Sequence, residues 1–188
     1  MPAMVCPAWL GHLLASPVRK LIQPPERILS PYVKEGMTVL DIGPAMGFFT
    51  IPLARMVGTN GKVIAVDMQE KMLRGLKKRA QRTGLLTRIE ARLCSQETLG
   101  LQDLAAKIDF ALVFAVVHEV PDPSRFFAEL SAAIKPSGSV LLSEPNGHVS
   151  EEEFTITTSL AKQHEFEIVE VPKIFRSRSA LLRKAKLH

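Results

Sequence analysis

The sequence has few cysteines and no long apolar run. Its 188 residues include two cysteines, Cys6 and Cys94. Two distant cysteines form neither a disulfide framework nor the paired spacing of a zinc site, so we expect a reducing, cytoplasmic compartment and no metal site. No apolar stretch approaches the roughly 20 residues that a membrane-spanning helix needs. Residues 8–15 are apolar but follow no basic leader, so they are not interpreted as a signal peptide.

Aromatic residues are also scarce, whereas basic residues are in excess. Phe, Trp and Tyr make up 6% of the chain, with one Trp and one Tyr, and the formal net charge is +5. Many of the basic residues fall in one region: Lys71, Arg74, Lys77, Lys78, Arg79, Arg82, Arg88 and Arg92. Without interleaved aromatic rings to stack on bases, this pattern favours a solvated helix face and disfavours nucleic acid as a partner.

Strand-like apolar runs alternate with helix-like amphipathic runs, which predicts an α/β fold around a parallel sheet. At this length we expect a single domain over residues 1–188. The predicted strands are 38–42, 63–66, 89–93, 108–114, 140–143, 166–171 and 179–183, the last two forming an antiparallel hairpin. The predicted helices are 24–29, 47–57, 69–83, 123–134 and, after a capping box at Ser150, a helix to about 163, with a turn at 135–138.

Residues 39–50 read as a buried strand, a tight glycine turn and the start of a helix. Asp41 precedes Gly43 by two positions, and Gly47 follows where it would allow close approach of helix and strand. This spacing differs from the G-x-G-x-x-G turn that holds a dinucleotide pyrophosphate. Asp41 would repel a pyrophosphate but suits a cationic, amino-bearing ligand. The alternative is a strand–turn–helix unit that binds no ligand.

This segment resembles motif I of the class I S-adenosylmethionine-dependent methyltransferases, in particular small-molecule enzymes of methyltransferase type 11. The resemblance extends over about residues 25–186. It implies a Rossmann-like sheet of seven strands in the order 3-2-1-4-5-7-6, with strand 7 antiparallel, flanked by helices. It also implies S-adenosyl-L-methionine as the cofactor, whose methionine part would contact the backbone of Gly43, Pro44 and Ala45. Asp41 would lie near the ammonium group, directly or through water.

Two further strand ends complete the cofactor site that the resemblance implies. Asp67 ends the second strand, where its carboxylate would accept hydrogen bonds from the ribose hydroxyls; the alternative is a cap of the following helix. Met68 would pack on the adenine. After the third strand many relatives have an acidic residue, and Ser95 would take its place by accepting a hydrogen bond from the adenine amino group. Cys94, also assigned to this site, is expected to be buried and inert.

Residues 114–122 resemble the segment after strand 4 of small-molecule methyltransferases, including those that act on ubiquinone and menaquinone precursors. In such relatives this stretch lines the site of methyl transfer, which implies a cofactor contact at Ala115. His118 and Glu119 are the candidates for substrate contact or proton removal, since a histidine titrates near neutral pH. The alternative is that His118 packs or caps without a catalytic role.

The fifth strand ends in a polar stretch, expected at the same edge of the sheet as the ends of the first and fourth strands. Glu144, Asn146 and His148 would line an acceptor pocket there; the alternative is an ordinary polar loop. Residues 1–24 would form an apolar, helical appendage. Two roles stay open for it, a lid over the site or an interface with a second subunit in a homodimer.

These features predict an enzyme that transfers the sulfonium methyl group to a small-molecule acceptor by in-line displacement. An RNA methyltransferase, favoured only by charge, and a non-catalytic S-adenosylmethionine-binding protein are the alternatives. A dinucleotide oxidoreductase is favoured less, because the glycine spacing lacks the dinucleotide pattern.

Overall fold

The computed structural model describes residues 23–185, which contain five α-helices and seven β-strands. The helices are α1 (Pro25–Leu29), α2 (Thr50–Met56), α3 (Glu70–Arg82), α4 (Pro123–Ala133) and α5 (Glu151–Gln163). The strands are β1 (Thr38–Ile42), β2 (Lys62–Asp67), β3 (Ile89–Leu93), β4 (Ile108–Phe114), β5 (Ile134–Pro145), β6 (Phe166–Glu170) and β7 (Ser177–Lys184). Nearly all of the appendage predicted at residues 1–24 lies outside the described residues.

The strands form a mixed sheet in the order β3-β2-β1-β4-β5-β7-β6. β1, β2 and β3 pair in parallel, and so do β4 and β5. β7 runs antiparallel to both β5 and β6. These pairings confirm the α/β class, the strand order and the antiparallel last strand predicted from the sequence. No helix within residues 23–185 is long and apolar enough to cross a membrane.

The first of two compact units covers residues 23–94 of the described chain and contains β1, β2 and β3. Buried residues recur at helical spacing on one side of α3, whose other side is charged. They are Met72, Leu73, Leu76 and Ala80. Gly47 lies against this helix, since a Cβ at Gly47 would come within 2.7 Å of Leu76 Cδ1. The φ angle of +87° at Gly47 also favours glycine, so the residue serves both the turn and the close approach.

The second compact unit covers residues 95–185 of the described chain and contains β4 to β7. β4 is almost wholly buried, as its continuous apolar sequence predicts. The predicted capping box at the start of α5 is confirmed. The Ser150 hydroxyl accepts the Glu153 N–H at 3.2 Å, and the Glu153 carboxylate accepts the Ser150 N–H at 2.7 Å.

The helix after β1 is shorter than predicted. It begins at Thr50 and not at residue 47, because residues 45–49 form turns and Gly47 is left-handed. A left-handed residue interrupts the right-handed helical path, so the first helical hydrogen bonds form only after it. The consequence is a longer turn between β1 and α2 than the sequence pattern indicated.

β5 begins earlier than predicted, and the expected turn at residues 135–138 lies inside the strand. The pairing of β4 with β5 is Ile108 with Ile134, then Phe110 with Ser139. Two steps along β4 therefore face five steps along β5. Ser137, with φ of +64°, lies in the extra length. The Pro-Ser-Gly sequence thus marks a bulge within a strand, because pairing with β4 resumes on the far side of it.

A buried lysine ties β7 to the end of α4. Lys184 is 8% exposed, and its Nζ donates to the main-chain carbonyls of Ser131 at 2.6 Å and Ile134 at 3.3 Å. Its ion pair with Glu165 spans 3.7 Å. The ammonium group thus satisfies carbonyls at a helix end that lack a partner within the helix.

Lys184→Met should lower the free energy of unfolding by about 2 kcal/mol, because buried carbonyls lose their donor while the apolar stem is kept. Urea denaturation measures the change, with Lys162→Met on the exposed surface of α5 as the control. A loss no larger than that of the control would contradict the structural role of Lys184.

Candidate functional site

The carboxylate of Asp41 lies buried near the end of β1. Asp41 is 2% exposed, and its Oδ2 accepts a hydrogen bond of 2.6 Å from the Thr50 hydroxyl at the start of α2. Burial raises the pKa of Asp41 to about 7; the Thr50 hydrogen bond opposes this shift, and the charge of Asp67 adds to it. With so little exposed surface, Asp41 offers almost no direct contact to a ligand.

The turn after β1 contains three left-handed residues, Gly43 (φ +71°), Ala45 (φ +48°) and Gly47 (φ +87°). Gly43 donates its N–H to the carbonyl of Val66 on β2 at 3.0 Å, so the turn is tied to the neighbouring strand. Gly43 is exposed and Ala45 is half-buried, whereas Pro44 is buried. Gly43 and Ala45 therefore offer surface to a ligand, and Pro44 offers little.

Asp67 ends β2 and is half-buried. Its Oδ1 accepts the N–H of Gln69 at 2.8 Å, and Gln69 is the N-cap residue of α3. Asp67 thus orders the approach to the helix without being its cap. A carboxylate accepts several hydrogen bonds, so this contact is compatible with the ribose role. Met68, the next residue, is half-buried as well.

The residues after β3 differ from what the sequence predicted. Cys94 is half-buried and not buried, because it follows a strand at the end of the strand order; its N–H donates to the Asp67 carbonyl at 3.1 Å. Ser95 is exposed, and its hydroxyl oxygen accepts the N–H groups of Glu97 and Thr98, each at 3.2 Å. These bonds engage the oxygen that an adenine amino group was expected to use, so the Ser95 hydroxyl is better placed to donate.

The ends of β1 and β2 suit a cationic, phosphate-free nucleoside. Asp41 and Asp67 lie on paired parallel strands whose register matches Ile42 with Val66. The two carboxylates attract ammonium and sulfonium groups and accept hydrogen bonds from hydroxyls, whereas they repel a pyrophosphate. The described residues of this unit therefore fit S-adenosylmethionine.

A second buried carboxylate, Glu144, lies near the end of β5 and is 1% exposed. Its Oε1 accepts the N–H groups of Val117 at 2.7 Å and Val116 at 3.2 Å, and its Oε2 lies 2.5 Å from Nδ1 of His118. This corrects the expectation that Glu144 lines an acceptor pocket, because an enclosed carboxylate with both oxygens engaged has no surface for a substrate. Its contacts instead hold the segment that follows β4.

The backbone after β4 brings His118 to this carboxylate. β4 and β5 stay in register as far as Ser143, whose carbonyl accepts the Ala115 N–H at 2.7 Å. Ala115 then adopts a φ of +59°, and the chain continues into a short 3-10 turn, Val117–Glu119. A left-handed alanine costs roughly 1–2 kcal/mol, so the hydrogen bonds to the buried carboxylate must hold this turn in place.

The imidazole of His118 is more exposed than the Glu144 carboxylate that it contacts. Its side chain is 21% exposed, and its Nε2 lies 3.9 Å from Oε1 of Glu119. The ring of the exposed His148 meets it edge to face, with 5.7 Å between the ring centres. The hydrogen bond with Glu144 raises the pKa of His118; burial opposes this, and the charges of Glu144 and Glu119 add to it.

One predicted site residue, Asn146, lies outside these contacts, and two features of the site were not predicted from the sequence. Asn146 is exposed and donates its backbone N–H to the Arg176 carbonyl at 3.0 Å, a contact that defines no pocket. The sequence analysis missed Thr50 as the partner of Asp41, although a hydroxyl at a helix start after a buried acid was an available signal. It also missed the N–H groups that hold Glu144, which no side-chain pattern reveals.

Comparisons with known proteins identify the family to which the chain belongs. A family model for the methyltransferase domain matches residues 33–179. The ubiquinone biosynthesis O-methyltransferase of Paramagnetospirillum magneticum is 33% identical over 113 residues, which cover 60% of this chain and 41% of that protein. The ubiquinone/menaquinone biosynthesis C-methyltransferase of Escherichia coli is 28% identical over 112 residues, which cover 60% of this chain and 44% of that protein.

Among solved structures, an S-adenosylmethionine-dependent methyltransferase from Aquifex aeolicus is similar with a TM-score of 0.84 and 25% identity, over 95% of this chain and 98% of that one. Because the family model spans most of its length, the chain belongs to the methyltransferase domain family. The class inferred from motif I is thus confirmed, and its cofactor is S-adenosylmethionine. The chain spans less than half the length of the two curated relatives.

The raised pKa of Asp41 predicts a pH-dependent cost of folding. Between the ordinary value of 3.8 and the folded value of about 7, the folded chain keeps a proton on Asp41 that the unfolded chain releases. Stability therefore falls as the pH rises through this window. Asp41→Asn removes the cost, and we expect the variant to gain about 2 kcal/mol over the wild type between pH 5 and pH 8.

Urea denaturation at several pH values measures this difference. Asp103→Asn, an exposed acid in the second unit, is the matched control. A difference between Asp41→Asn and the wild type that stays constant with pH would show that Asp41 titrates normally.

Proposed function

We propose that the chain binds S-adenosylmethionine through the first unit and methylates a small-molecule acceptor. The observation that carries the proposal is the pair of carboxylates, Asp41 and Asp67, on paired strands beside a left-handed glycine turn. Such a set favours a cationic nucleoside over a pyrophosphate compound. In this unit the residues assigned to cofactor binding are Asp41, Gly43, Pro44, Ala45, Gly47, Asp67, Met68 and Cys94, whereas Ser95 and Ala115, in the second unit, stay predictions from the sequence.

The chain's own residues supply position and charge for this reaction. When bound, S-adenosylmethionine supplies an electrophilic methyl group on a sulfonium sulfur. Asp67 would accept hydrogen bonds from the ribose hydroxyls, and Asp41 in its ionised form would favour the cationic end of the ligand. Gly43 and Ala45 present surface for the methionine part. In-line transfer depends strongly on alignment, so these positioning contacts contribute directly to the rate.

A small-molecule acceptor is supported by the relatives, two of which are named for ubiquinone biosynthesis. On the acceptor side we assign His118 and Glu119 to catalysis and place Asn146 and His148 among the candidates for substrate contact. We assign Glu144 to positioning of His118 and not to substrate contact, since its carboxylate is enclosed. A non-catalytic protein would differ by holding the cofactor without turning over any acceptor.

Asp67→Ala should weaken binding of S-adenosylhomocysteine about 10- to 100-fold, because charge-assisted hydrogen bonds to the ribose are lost. Isothermal titration calorimetry measures the affinity, with Asp103→Ala as the matched control. Asp67→Asn keeps an oxygen for the Gln69 N–H and so separates ribose binding from ordering of the helix start. Tighter binding of NAD than of S-adenosylhomocysteine, or unchanged affinity in Asp67→Ala, would contradict the assigned site.

A second candidate, an RNA methyltransferase, is favoured by the charge of one helix. The chain has 24 basic and 19 acidic residues. Six of the basic residues and one of the acidic residues lie on α3, so the rest of the chain has 18 basic and 18 acidic residues. The whole surplus of +5 therefore lies on α3. Among the described residues, only Arg74 of its six cations forms an ion pair, with Glu70 at 2.7 Å. Such a face matches the phosphates of a nucleic acid.

If α3 binds RNA, replacing Lys71, Lys77 and Lys78 with Ala should weaken binding and reduce the slope of log K against log salt by about 2. Fluorescence anisotropy with a short labelled RNA at low and high salt measures both quantities. The control replaces three exposed lysines of the second unit: Lys107, Lys162 and Lys173. Absence of RNA binding by the wild type at low salt would remove this candidate.

A further inference from the structure

We propose that His118 and Glu144 form a base couple that takes the proton from a hydroxyl group of the acceptor, so that the acceptor is a phenol or another hydroxyl compound methylated on oxygen. This inference rests on the proposed methyl transfer and specifies its substrate class. The groups that carry it lie within the second unit, around the ends of β4 and β5.

Glu144 fixes the imidazole through one of its two nitrogen atoms. The N–H groups of Val116 and Val117 engage Oε1, which leaves Oε2 for Nδ1 of His118 at 2.5 Å. Because an ionised carboxylate only accepts hydrogen bonds, the proton of the neutral ring resides on Nδ1. Nε2 then carries a lone pair and can accept a proton.

An acceptor can reach the couple through the ring and not through the carboxylate. The side chain of His118 is 21% exposed, whereas that of Glu144 is 1% exposed. Oε1 of Glu119 lies 3.9 Å from Nε2, beyond hydrogen-bond distance, so its charge stabilises an imidazolium without blocking the nitrogen. The exposed His148 borders the ring edge-on and forms part of the rim that an acceptor would meet.

Chemistry explains why this couple favours a hydroxyl group over an amine. A neutral amine already has a nucleophilic lone pair, and its methylated product can release a proton to water afterwards. A hydroxyl oxygen is a weak nucleophile until its proton leaves, so a base in the transition state accelerates the reaction. The buried carboxylate of Glu144 orients the imidazole of His118 and stabilises its protonated form, so the ring is suited to remove that proton.

In this step the acceptor O–H gives its proton to Nε2 of His118 while an oxygen lone pair forms the bond to the methyl carbon. The carbon–sulfur bond breaks, and its electron pair remains on sulfur as a neutral thioether. The positive charge passes to the imidazolium, where Glu144 and Glu119 stabilise it. The proton is then released to water, so atoms and charge balance without a further reactant.

The groups that face His118 set the pH dependence of this step. They are Glu144 on β5, Glu119 in the same 3-10 turn and His148 in the loop after β5. The hydrogen bond with Glu144 is the main cause that raises the pKa of His118. Below this raised pKa the ring is protonated and cannot accept a proton, so kcat/KM should rise as the pH passes through it.

Turnover is measured on phenol, catechol, 4-hydroxybenzoate and 4-nitrophenol, with benzylamine as the N–H probe. His118→Gln should lower kcat/KM for the weakly acidic phenols about 100-fold and remove the rise of kcat/KM with pH that the titration of His118 causes. The loss should be smallest for 4-nitrophenol, which is the most acidic of these phenols and therefore the most ionised at any given pH. Glu144→Gln should cause a similar loss, because its amide N–H group moves the ring proton onto Nε2. His164→Gln, whose native ring bonds the Ser124 hydroxyl, is the matched control.

Nitrogen-15 NMR of the histidine rings tests the couple in the absence of any acceptor. In the wild type the neutral ring of His118 should carry its proton on Nδ1, and in Glu144→Gln on Nε2. A wild-type proton on Nε2, or the same tautomer in both proteins, would overturn the couple.

Calorimetry with S-adenosylhomocysteine distinguishes failure of this inference from failure of the proposed function. A protein that does not bind this compound refutes the proposed function itself. A protein that binds it but methylates no hydroxyl probe, methylates benzylamine alone, or keeps wild-type turnover in His118→Gln overturns the hydroxyl inference and leaves the cofactor site standing.

Discussion

A carboxylate withdrawn from water must be matched by hydrogen-bond donors or by positive charge, and this constraint organises both strand-end sites. Among the described residues, Asp41 is matched by the Thr50 hydroxyl, and burial still raises its pKa to about 7. Glu144 is matched by two backbone N–H groups and by the imidazole of His118. A cationic ligand near Asp41 would therefore stabilise its ionised form. Glu144 instead has a titratable partner within the chain, the imidazole of His118.

Much of the fold was predictable because local propensity and burial agree in most of its elements. β4 is a continuous apolar run and is buried, α3 has a clear helical stripe, and Ser150 begins its helix with a capping box. β5 was read incompletely, because its Pro-Ser-Gly sequence is typical of a turn. Pairing with β4 before and after this stretch keeps it within the strand, and such pairing is a non-local effect that a short sequence window does not contain.

The candidate site was predictable as residue types at strand ends, but not as contacts. Asp41, Asp67 and His118 stand out because acids and histidines after buried strands are conspicuous. Glu144 was interpreted as a pocket residue because the sequence around it is polar, yet it is enclosed by N–H groups from the segment after β4. That segment is shaped by Ala115 at φ +59°, and an alanine gives no sequence signal for a left-handed backbone.

Two left-handed alanines connect the backbone to the chemistry. Ala45 follows β1 and Ala115 follows β4, and each lies in the turn beside a buried carboxylate. Glycine would adopt either conformation without strain, but it would also allow the turn to sample other conformations. A strained alanine persists only where surrounding contacts over-determine it, and the hydrogen bonds to Ser143 and Glu144 do so after β4. The strain thus accompanies a turn that hydrogen bonds hold, and a fixed orientation of the ring is what the base proposed for His118 requires.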